Sequence, residues 1–194
     1  LLSRLESRIG VNGTALQWFK SYLLNRNQAV YLNGVSSNSC PLQYGVPQGS
    51  VAGPFTFIIY TSPLHDIATR HGLSIHMYAD DTQIYIEFDL TSSSATVAKA
   101  KMEACVTDIQ KWMRTNKLQL NEDKTEIVVI TPSRHSSKVH IDSMKIGNCD
   151  IKPASSARNL GALFDDHMNL RPHVTSIVKS CNYQLRRIGQ IRKY

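Results

Sequence analysis

Two apolar patterns of period two flank a pair of adjacent aspartates near the middle of the chain. Alternate apolar residues occupy Ile75 and Met77 before the pair, and Ile84, Ile86 and Phe88 after it. Alternation of this kind predicts half-buried β-strands. The polar residues between the two runs, Asp80-Asp81-Thr82, are typical of a turn. The sequence therefore predicts a hairpin that carries two carboxylates at its tip.

Apolar residues at helical spacing surround this hairpin on both sides. Thr14 is the predicted N-cap of the first helix, and Thr91 to Ser94 supply candidate caps for the second. Pro54 suits the first turn of a further helix, whose apolar run extends to Leu64. The other three stripes are Ala15, Leu16, Phe19, Tyr22 and Leu23; Ala98, Met102, Cys105, Val106, Ile109, Trp112 and Met113; and Val174, Ile177, Val178, Cys181, Leu185 and Ile188.

Short β-prone segments occur between the helical patterns. Asn33-Gly34 between apolar residues is the strongest hairpin signal, because both turn positions need a positive φ. Further strands are predicted over 125–131, over 139–151 around Gly147-Asn148, and over 159–164. This mixture of helices and strands predicts the α+β class. The aromatic residues on the helical stripes, Trp18, Phe19, Tyr22 and Trp112, are expected to lie in the core.

The positive charge is concentrated at one end of the chain. The 194 residues carry a net charge of +7, and residues 167–194 contribute six basic side chains and no acidic one. This asymmetry favours a polyanionic partner, although an ordinary solvated helix face is an open alternative. No apolar run approaches the roughly 20 residues that a membrane-spanning helix needs, so no membrane association is expected.

The chain starts with Leu1 inside an apolar helical pattern, so we expect it to be a fragment of a longer polypeptide. Its cysteines are widely spaced and include no Cys-x-x-Cys pair, which argues against a metal knuckle. Free thiols in a reducing, intracellular compartment (nucleus or cytoplasm) are the expectation. The four positions are Cys40, Cys105, Cys149 and Cys181.

Three segments carry residues with chemical potential. The adjacent carboxylates of Asp80 and Asp81 repel each other, and a divalent cation with hard oxygen ligands removes that cost. The loop 45–50, Gly-Val-Pro-Gln-Gly-Ser, allows close backbone approach to a ligand. Lys124, in the segment 121–126, is a candidate acid or phosphate contact. Taken singly, each has an ordinary alternative: a polar turn, a loop before a helix, and a surface lysine.

The three segments together resemble the reverse transcriptases of non-long-terminal-repeat, LINE-type (jockey-like) retrotransposons. The segment 45–54 and the sequence Tyr78-Ala79-Asp80-Asp81 match, in order and spacing, that family's nucleotide/template loop and its metal-binding turn. Segments 15–30, 112–126 and 159–165 are also similar, so the resemblance covers essentially the whole chain.

The resemblance implies a right-hand polymerase fold. Residues 1–131 would be a fragment of fingers and palm, with an antiparallel sheet and packed helices. Residues 132–158 would be a connecting hairpin or loop region, and residues 159–194 the palm–thumb junction and a truncated first thumb helix.

The resemblance also implies RNA-directed DNA synthesis, in which a primer 3′-hydroxyl attacks a deoxynucleoside triphosphate opposite an RNA template. Two Mg²⁺ ions would act, held by Asp80 and Asp81, with Lys124 as a proton donor to the leaving group. The nucleotide and template contacts would be Pro47, Gln48, Gly49 and Tyr78, and the nucleic-acid backbone contacts would be Lys179, Arg186, Arg187, Arg192 and Lys193.

One element of the family pattern has no counterpart in this sequence. The family uses a third carboxylate on a palm strand just upstream of the segment matched by Leu1–Leu5, and no acidic residue precedes Glu6. We therefore expect the isolated chain to be inactive and to need the upstream portion of the same polypeptide. The alternative is a non-catalytic nucleic-acid-binding remnant of a degenerate retroelement.

Overall fold

The computed structural model describes residues 1–46 and 49–192, without the side chains of residues 137 and 138. The α-helices are α1 (Leu2–Ile9), α2 (Gly13–Leu23), α3 (Ala52–Thr61), α4 (Pro63–Arg70), α5 (Ser92–Thr115) and α6 (Arg171–Ile191). Two 3₁₀ segments follow α5, at Glu122–Lys124 and Ser133–Lys138. The strands are β1 (Asn27–Gln28), β2 (Tyr31–Leu32), β3 (Val35–Ser36), β4 (Cys40–Pro41), β5 (Ser74–Tyr78), β6 (Asp81–Tyr85), β7 (Met144–Ile146), β8 (Cys149–Ile151), β9 (Ser156–Asn159) and β10 (Ala162–Asp165).

Each of these strands pairs with a single neighbour. The pairs are β1 with β4, β2 with β3, β5 with β6, β7 with β8, and β9 with β10. The chain mixes helices with small strand pairs, so the predicted α+β class is confirmed. Among the residues described, no helix is long and apolar enough to cross a membrane.

The residues divide into two compact units, and each is described by itself. The first unit contains residues 1–69 and 75–83. Its core joins Leu5 of α1, Leu16 of α2 and Ile59 of α3, all buried. Arg4 makes a second contact between α1 and α3. Its guanidinium donates a hydrogen bond to the Tyr60 carbonyl and lies 4.8 Å from the centre of the Tyr60 ring.

The second unit contains residues 70–74 and the described chain from Ile84 onward. Its central element is α5, which begins where the Thr91 hydroxyl accepts a hydrogen bond from the Ser94 amide. The buried face of α5 includes Cys105 and Ile109, at 0% and 3% exposure. Glu103 of α5 also accepts a hydrogen bond of 2.7 Å from the Lys145 amide in β7. The predicted caps and stripe of this helix are confirmed.

The two predicted glycine-containing hairpins form as expected. Asn33 and Gly34 have φ of 48° and 82° and join β2 to β3, with Leu32 opposite Val35. Gly147, at φ 60°, lies in the turn between β7 and β8. Both turns thus use the positive φ values that favour glycine and asparagine.

Three predicted elements differ from the structure near the first helices and the apolar run. The helix predicted from Thr14 begins at Gly13, with Asn12 at the N-cap position, so the Thr14 cap is wrong. The run up to Leu64 is two helices, α3 and α4, because Pro63 has no amide hydrogen and interrupts the hydrogen-bond ladder. The run is also only partly buried, since Phe55 and Ile58 are 50% and 58% exposed.

Two predicted strands in the second unit also differ. Residues 125–131 form no strand; instead their backbone bonds at isolated points, such as the Ile127 carbonyl to Ala154 and the Thr131 amide to Asp166. The segment 159–164 is the turn and second strand of the hairpin β9–β10, rather than one strand. Its turn, Leu160-Gly161, has φ of 45° and 86°.

Candidate active site

The aspartate pair lies where β5 turns back into β6. Tyr78 ends β5, Ala79 and Asp80 form the turn, and Asp81 is the first residue of β6. The turn therefore falls one residue earlier than the sequence predicts. Both carboxylates are exposed, and Tyr78 beside them is 67% exposed. The hairpin presents the two carboxylates next to each other and open to a ligand.

The backbone of this turn is strained at Ala79. Its φ is 53°, in the left-handed region that L-residues other than asparagine and aspartate rarely adopt. Such a conformation costs of order 1–3 kcal/mol and occurs preferentially at functional sites. With this positive φ, Ala79 and Asp80 join β5 to β6 in a turn of two residues, although neither residue is glycine.

The donor set of the turn suits a magnesium ion in part. Mg²⁺ is commonly held by one or two carboxylates, with water and substrate phosphates completing the octahedron. Asp80 and Asp81 supply two such carboxylates. The described residues contain no cluster of three or more histidine, cysteine or acidic side chains arranged for a metal. The turn thus fits two ligands of a metal site, and further ligands would have to come from elsewhere.

The glycine loop is hydrogen-bonded at both of its described ends, to Tyr22 in α2 and to Arg26 just after that helix. Arg26 donates to the carbonyls of Leu23 and Gly45, and the Tyr22 hydroxyl bonds to the Ser50 hydroxyl. Gly49 has φ of 79°, which only glycine adopts readily. Pro47 and Gln48, the predicted nucleotide and template contacts, lie outside the described residues. The loop is therefore anchored on either side of residues 47–49, to which the resemblance assigns contact.

Lys124 ends the 3₁₀ segment that follows α5, and its side chain is exposed. It belongs to the second unit, whereas Asp80 and Asp81 belong to the first. The role expected of Lys124 as a proton donor thus stays a prediction.

Helix α6 carries a basic face on the side opposite its apolar stripe. Lys179, Arg186 and Arg187 are exposed there, and the Arg187 guanidinium lies 5.8 Å from the centre of the Tyr183 ring. Arg192, just past the helix, is also exposed, and Lys193 lies outside the described residues. Four of the five predicted backbone-contact residues are therefore accessible on or beside one helix.

Two features of these units were missed by the sequence reasoning. Trp18, expected in the core, is 53% exposed and stacks on Tyr22 with ring centres 5.3 Å apart. Asp165 was given no role, yet its buried carboxylate accepts three main-chain hydrogen bonds. Burial by itself would raise the pKa of Asp165, but the amides of Asn169, Leu170 and His167 outweigh it, and the pKa is lowered. A buried-strand pattern ending in an aspartate just before a helix was the available signal.

A polar cavity of about 290 Å³ lies beside the C-terminal half of α5. Gln110 at its edge donates to Glu122, and the Cys149 thiol also donates to Glu122, which raises the pKa of that thiol. The carboxylate of Glu122 is thus occupied by internal partners, so this cavity is a poorer site for a cation than the turn. The cavity is lined by Gln110, Arg114, Leu118, Gln119, Leu120 and Glu122.

The chain matches a known family of enzymes. The model of the family "Reverse transcriptase (RNA-dependent DNA polymerase)" matches residues 3–164, which include the strained aspartate turn and the anchored glycine loop. The chain belongs to this reverse transcriptase family.

The chain is also similar to individual polymerases of mobile elements and transposons. Over 88% of its length, the chain is 25% identical to the RNA-directed DNA polymerase from mobile element jockey of Drosophila melanogaster. It is 28% identical, over 84% of its length, to the jockey polymerase of Drosophila funebris. A probable RNA-directed DNA polymerase from transposon X-element of Drosophila melanogaster is 26% identical over 81% of the chain.

The match covers only a small part of each relative. The chain spans 18% of the Drosophila melanogaster jockey protein, 18% of the Drosophila funebris protein and 17% of the X-element protein. No solved structure shows a significant match to the chain.

Proposed function

We propose that this chain is a piece of an RNA-directed DNA polymerase of a LINE-type retrotransposon, and that its aspartate turn is part of the catalytic centre. The observation that carries the proposal is the exposed Asp80-Asp81 pair on a strained two-residue turn, in a chain of the reverse transcriptase family. Strain at Ala79 is consistent with a turn held for function.

In this proposal Asp80 is the principal magnesium ligand and Asp81 assists it. When bound, two Mg²⁺ ions would stabilise the charge that develops on the attacking and leaving oxygens of an in-line phosphoryl transfer. Asp80 and Asp81 would hold these ions, whose charge would offset the repulsion between the two carboxylates and the triphosphate of the incoming deoxynucleotide. Lys124 would donate a proton to the pyrophosphate leaving group.

The loop at 45–50 would contact the incoming nucleotide and the templating base through Pro47, Gln48 and Gly49, with Tyr78 beside the turn. Its two hydrogen-bonded anchors, at Gly45 and Ser50, support this assignment, since an anchored loop holds its contacts in place at small entropic cost. The domain assignment is part of the same proposal: fingers and palm over 1–131, a connecting region over 132–158, and the palm–thumb junction with the first thumb helix over 159–194.

The isolated chain is proposed to be inactive. Two carboxylates from one turn hold two metal ions poorly, and the described residues supply no third carboxylate at the turn. We propose that the third ligand belongs to an upstream portion of the same polypeptide. RNA template, DNA primer and deoxynucleoside triphosphates are the proposed partners of the complete enzyme.

Primer extension on poly(rA)/oligo(dT) with Mg²⁺ tests the catalytic proposal. A longer chain that carries the upstream aspartate is expected to extend the primer, and Asp80→Asn in that chain is expected to abolish extension. Asp142→Asn, which removes an exposed acidic side chain of the second unit, is the matched control and should keep full activity. A longer chain without activity would contradict the catalytic assignment. Extension by the 194-residue chain would contradict its inactivity.

The second candidate function is nucleic-acid binding without catalysis, favoured by the exposed basic face of α6. Each phosphate neutralised by a basic side chain steepens the dependence of log affinity on log salt by about 0.9 for a DNA duplex. Arg186→Ala/Arg187→Ala is therefore expected to reduce the slope by about 2. Binding without extension by the longer chain would favour this second function over the first.

A further inference from the structure

The junction between β10 and α6 is built around a buried carboxylate. Asp165 ends β10 and is 4% exposed. Its oxygens accept hydrogen bonds from the amides of Leu170 at 2.7 Å, Asn169 at 3.2 Å and His167 at 3.3 Å. A buried carboxylate is retained only when its hydrogen bonds are made. One side chain thus binds three main-chain amides of the loop that leads into α6.

The loop itself adopts a conformation that it would not hold alone. Met168 and Leu170 have φ of 52° and 56°, and neither is glycine. Leu170 is also the N-cap residue of α6, and its side chain cannot satisfy the amides of the first turn. Asn169 takes over that role at one amide, since it accepts from Arg171 at 2.9 Å, and Asp165 accepts from the Leu170 amide just before it. The strained loop depends on these side chains for its shape.

Further bonds fix the loop and the first turn of α6 to the second unit. His167 Nδ1 lies 2.9 Å from the Thr131 carbonyl, and the Thr131 amide donates to the Asp166 carbonyl at 2.9 Å. The Leu163 amide of β10 donates to His173 Nδ1 at 3.3 Å. The base of α6 is therefore bonded on two sides, to β10 and to the segment at Thr131.

The rest of α6 has no buried residue that could set its direction. Within the described chain, the 21-residue helix is thus oriented from its base. At about 1.5 Å per residue, Arg187 lies about 24 Å from Arg171 along the axis. A rotation of about 20° at the base would move Arg187 by about 8 Å, more than the spacing between neighbouring phosphates.

We propose that Asp165 is a positioning residue for nucleic-acid binding: it fixes the direction of α6 and so places the basic face on the duplex backbone. This inference rests on the proposed function, which supplies the duplex. Asp165 touches neither substrate nor metal in this role; it acts through α6.

Spin labels on two native cysteines test the direction of α6 without nucleic acid. Cys149 of β8 and Cys181 of α6 are exposed, Cys105 is buried, and Cys40→Ser removes the other exposed thiol. The distribution of label distances is expected to be narrow in this background and to broaden in Asp165→Asn. Asp142→Asn makes the same change in charge and should leave it narrow. An unchanged distribution in Asp165→Asn would overturn the inference.

Binding of an RNA/DNA duplex, followed by fluorescence anisotropy over a range of salt concentrations, tests the consequence. Asp165→Asn is expected to weaken binding about tenfold and to flatten the salt slope by about 1, whereas Asp142→Asn should change neither. If Asp165→Asn fails to fold, Asn169→Ala, which removes the acceptor of the Arg171 amide, should broaden the distances and weaken binding about threefold.

The two failures are distinguishable. If the unmodified chain does not bind the duplex, the nucleic-acid function fails, and the label distances still decide whether Asp165 orients α6. If the chain binds and the distances broaden while affinity and salt slope stay constant, the positioning role is overturned and the function survives.

Discussion

Helices α5 and α6 have the same sequence pattern and opposite environments. Both are long, and both carry an apolar stripe with basic residues off the stripe. The stripe of α5 is covered, with Ile109 3% exposed, whereas the stripe of α6 is open, with Ile188 61% exposed. Each contains one cysteine on its stripe, buried in α5 and exposed in α6. Helical periodicity therefore predicts a helix and its apolar side, but not whether anything covers that side.

The physical reason lies in what each helix has next to it. Hairpin β7–β8 packs on α5, and Met144 and Ile146 of β7 are 6% and 3% exposed. Helix α6 is held at its base by the Asp165 junction and has no buried residue among those described.

The largest difference is expected in thiol reactivity. Burial, with a smaller contribution from Asp108, raises the pKa of Cys105 to about 11, so at pH 8 only about one thiol in 10³ is ionised. Cys181 on the open stripe is exposed. With Cys40→Ser and Cys149→Ser in place, a thiol reagent such as DTNB should modify Cys181 more than about 10² times faster than Cys105. Equal rates would show that the stripe of α5 is not closed.

Truncation of one isoleucine in each helix should change the free energy of unfolding by very different amounts. Ile109→Ala is expected to lower the free energy of unfolding by about 2–5 kcal/mol, because it leaves a cavity in the core of the second unit. Ile188→Ala should change it by less than about 0.5 kcal/mol, since an exposed side chain loses little burial. Urea denaturation of both variants measures the two values. A large loss in Ile188→Ala would mean that something covers the stripe of α6.

Two hairpin glycines offer a second matched pair. A Cβ at Gly147 would clash with the ends of the Glu122 and Gln110 side chains, whereas a Cβ at Gly161 meets nothing within 4 Å. Both have positive φ, 60° and 86°, so both alanine variants carry backbone strain of about 1–2 kcal/mol. Gly147→Ala should cost about 1 kcal/mol more than Gly161→Ala, because the ends of Glu122 and Gln110 must move and lose the hydrogen bond between them. Equal midpoints of thermal unfolding would rule out the close packing of Gly147 against α5.

The smallest effect is expected on the stability of the fold at acidic pH. Because the pKa of Asp165 is lower in the folded chain than in the unfolded chain, its ionised form stabilises the fold above the usual carboxyl range. That contribution is lost as the pH falls through the folded pKa. In Asp165→Asn, stability measured by urea unfolding should therefore fall less steeply between pH 5 and pH 2 than in Asp142→Asn. Parallel curves would contradict the lowered pKa.

Much of the local structure could be predicted from the sequence. The Asn33-Gly34 hairpin, the cap at Thr91 and the buried stripe of α5 follow from turn chemistry and periodicity, which act over a few residues. Two failures have local causes as well: Pro63 divides one predicted helix, and Leu160-Gly161 turns a predicted strand into a hairpin. The prediction of a strand over 125–131 was wrong for another reason. Its apolar pattern suits a strand, but a strand also needs a continuous partner, which periodicity does not reveal.

By itself, the sequence determined the α+β class, the reverse transcriptase family and the presence of two adjacent carboxylates between two strands, because short-range pattern and residue identity are sufficient for these. Only the tertiary structure decided that the turn lies at Ala79-Asp80 and is strained, that Trp18 is exposed, and that Asp165 binds three amides. The exposure of Trp18 and the burial of Asp165 depend on which distant segments meet. The strained turn and the Asp165 hydrogen bonds join residues at most five positions apart. They need positive φ values at Ala79, Met168 and Leu170, which these residue types rarely adopt, so the sequence pattern does not predict them.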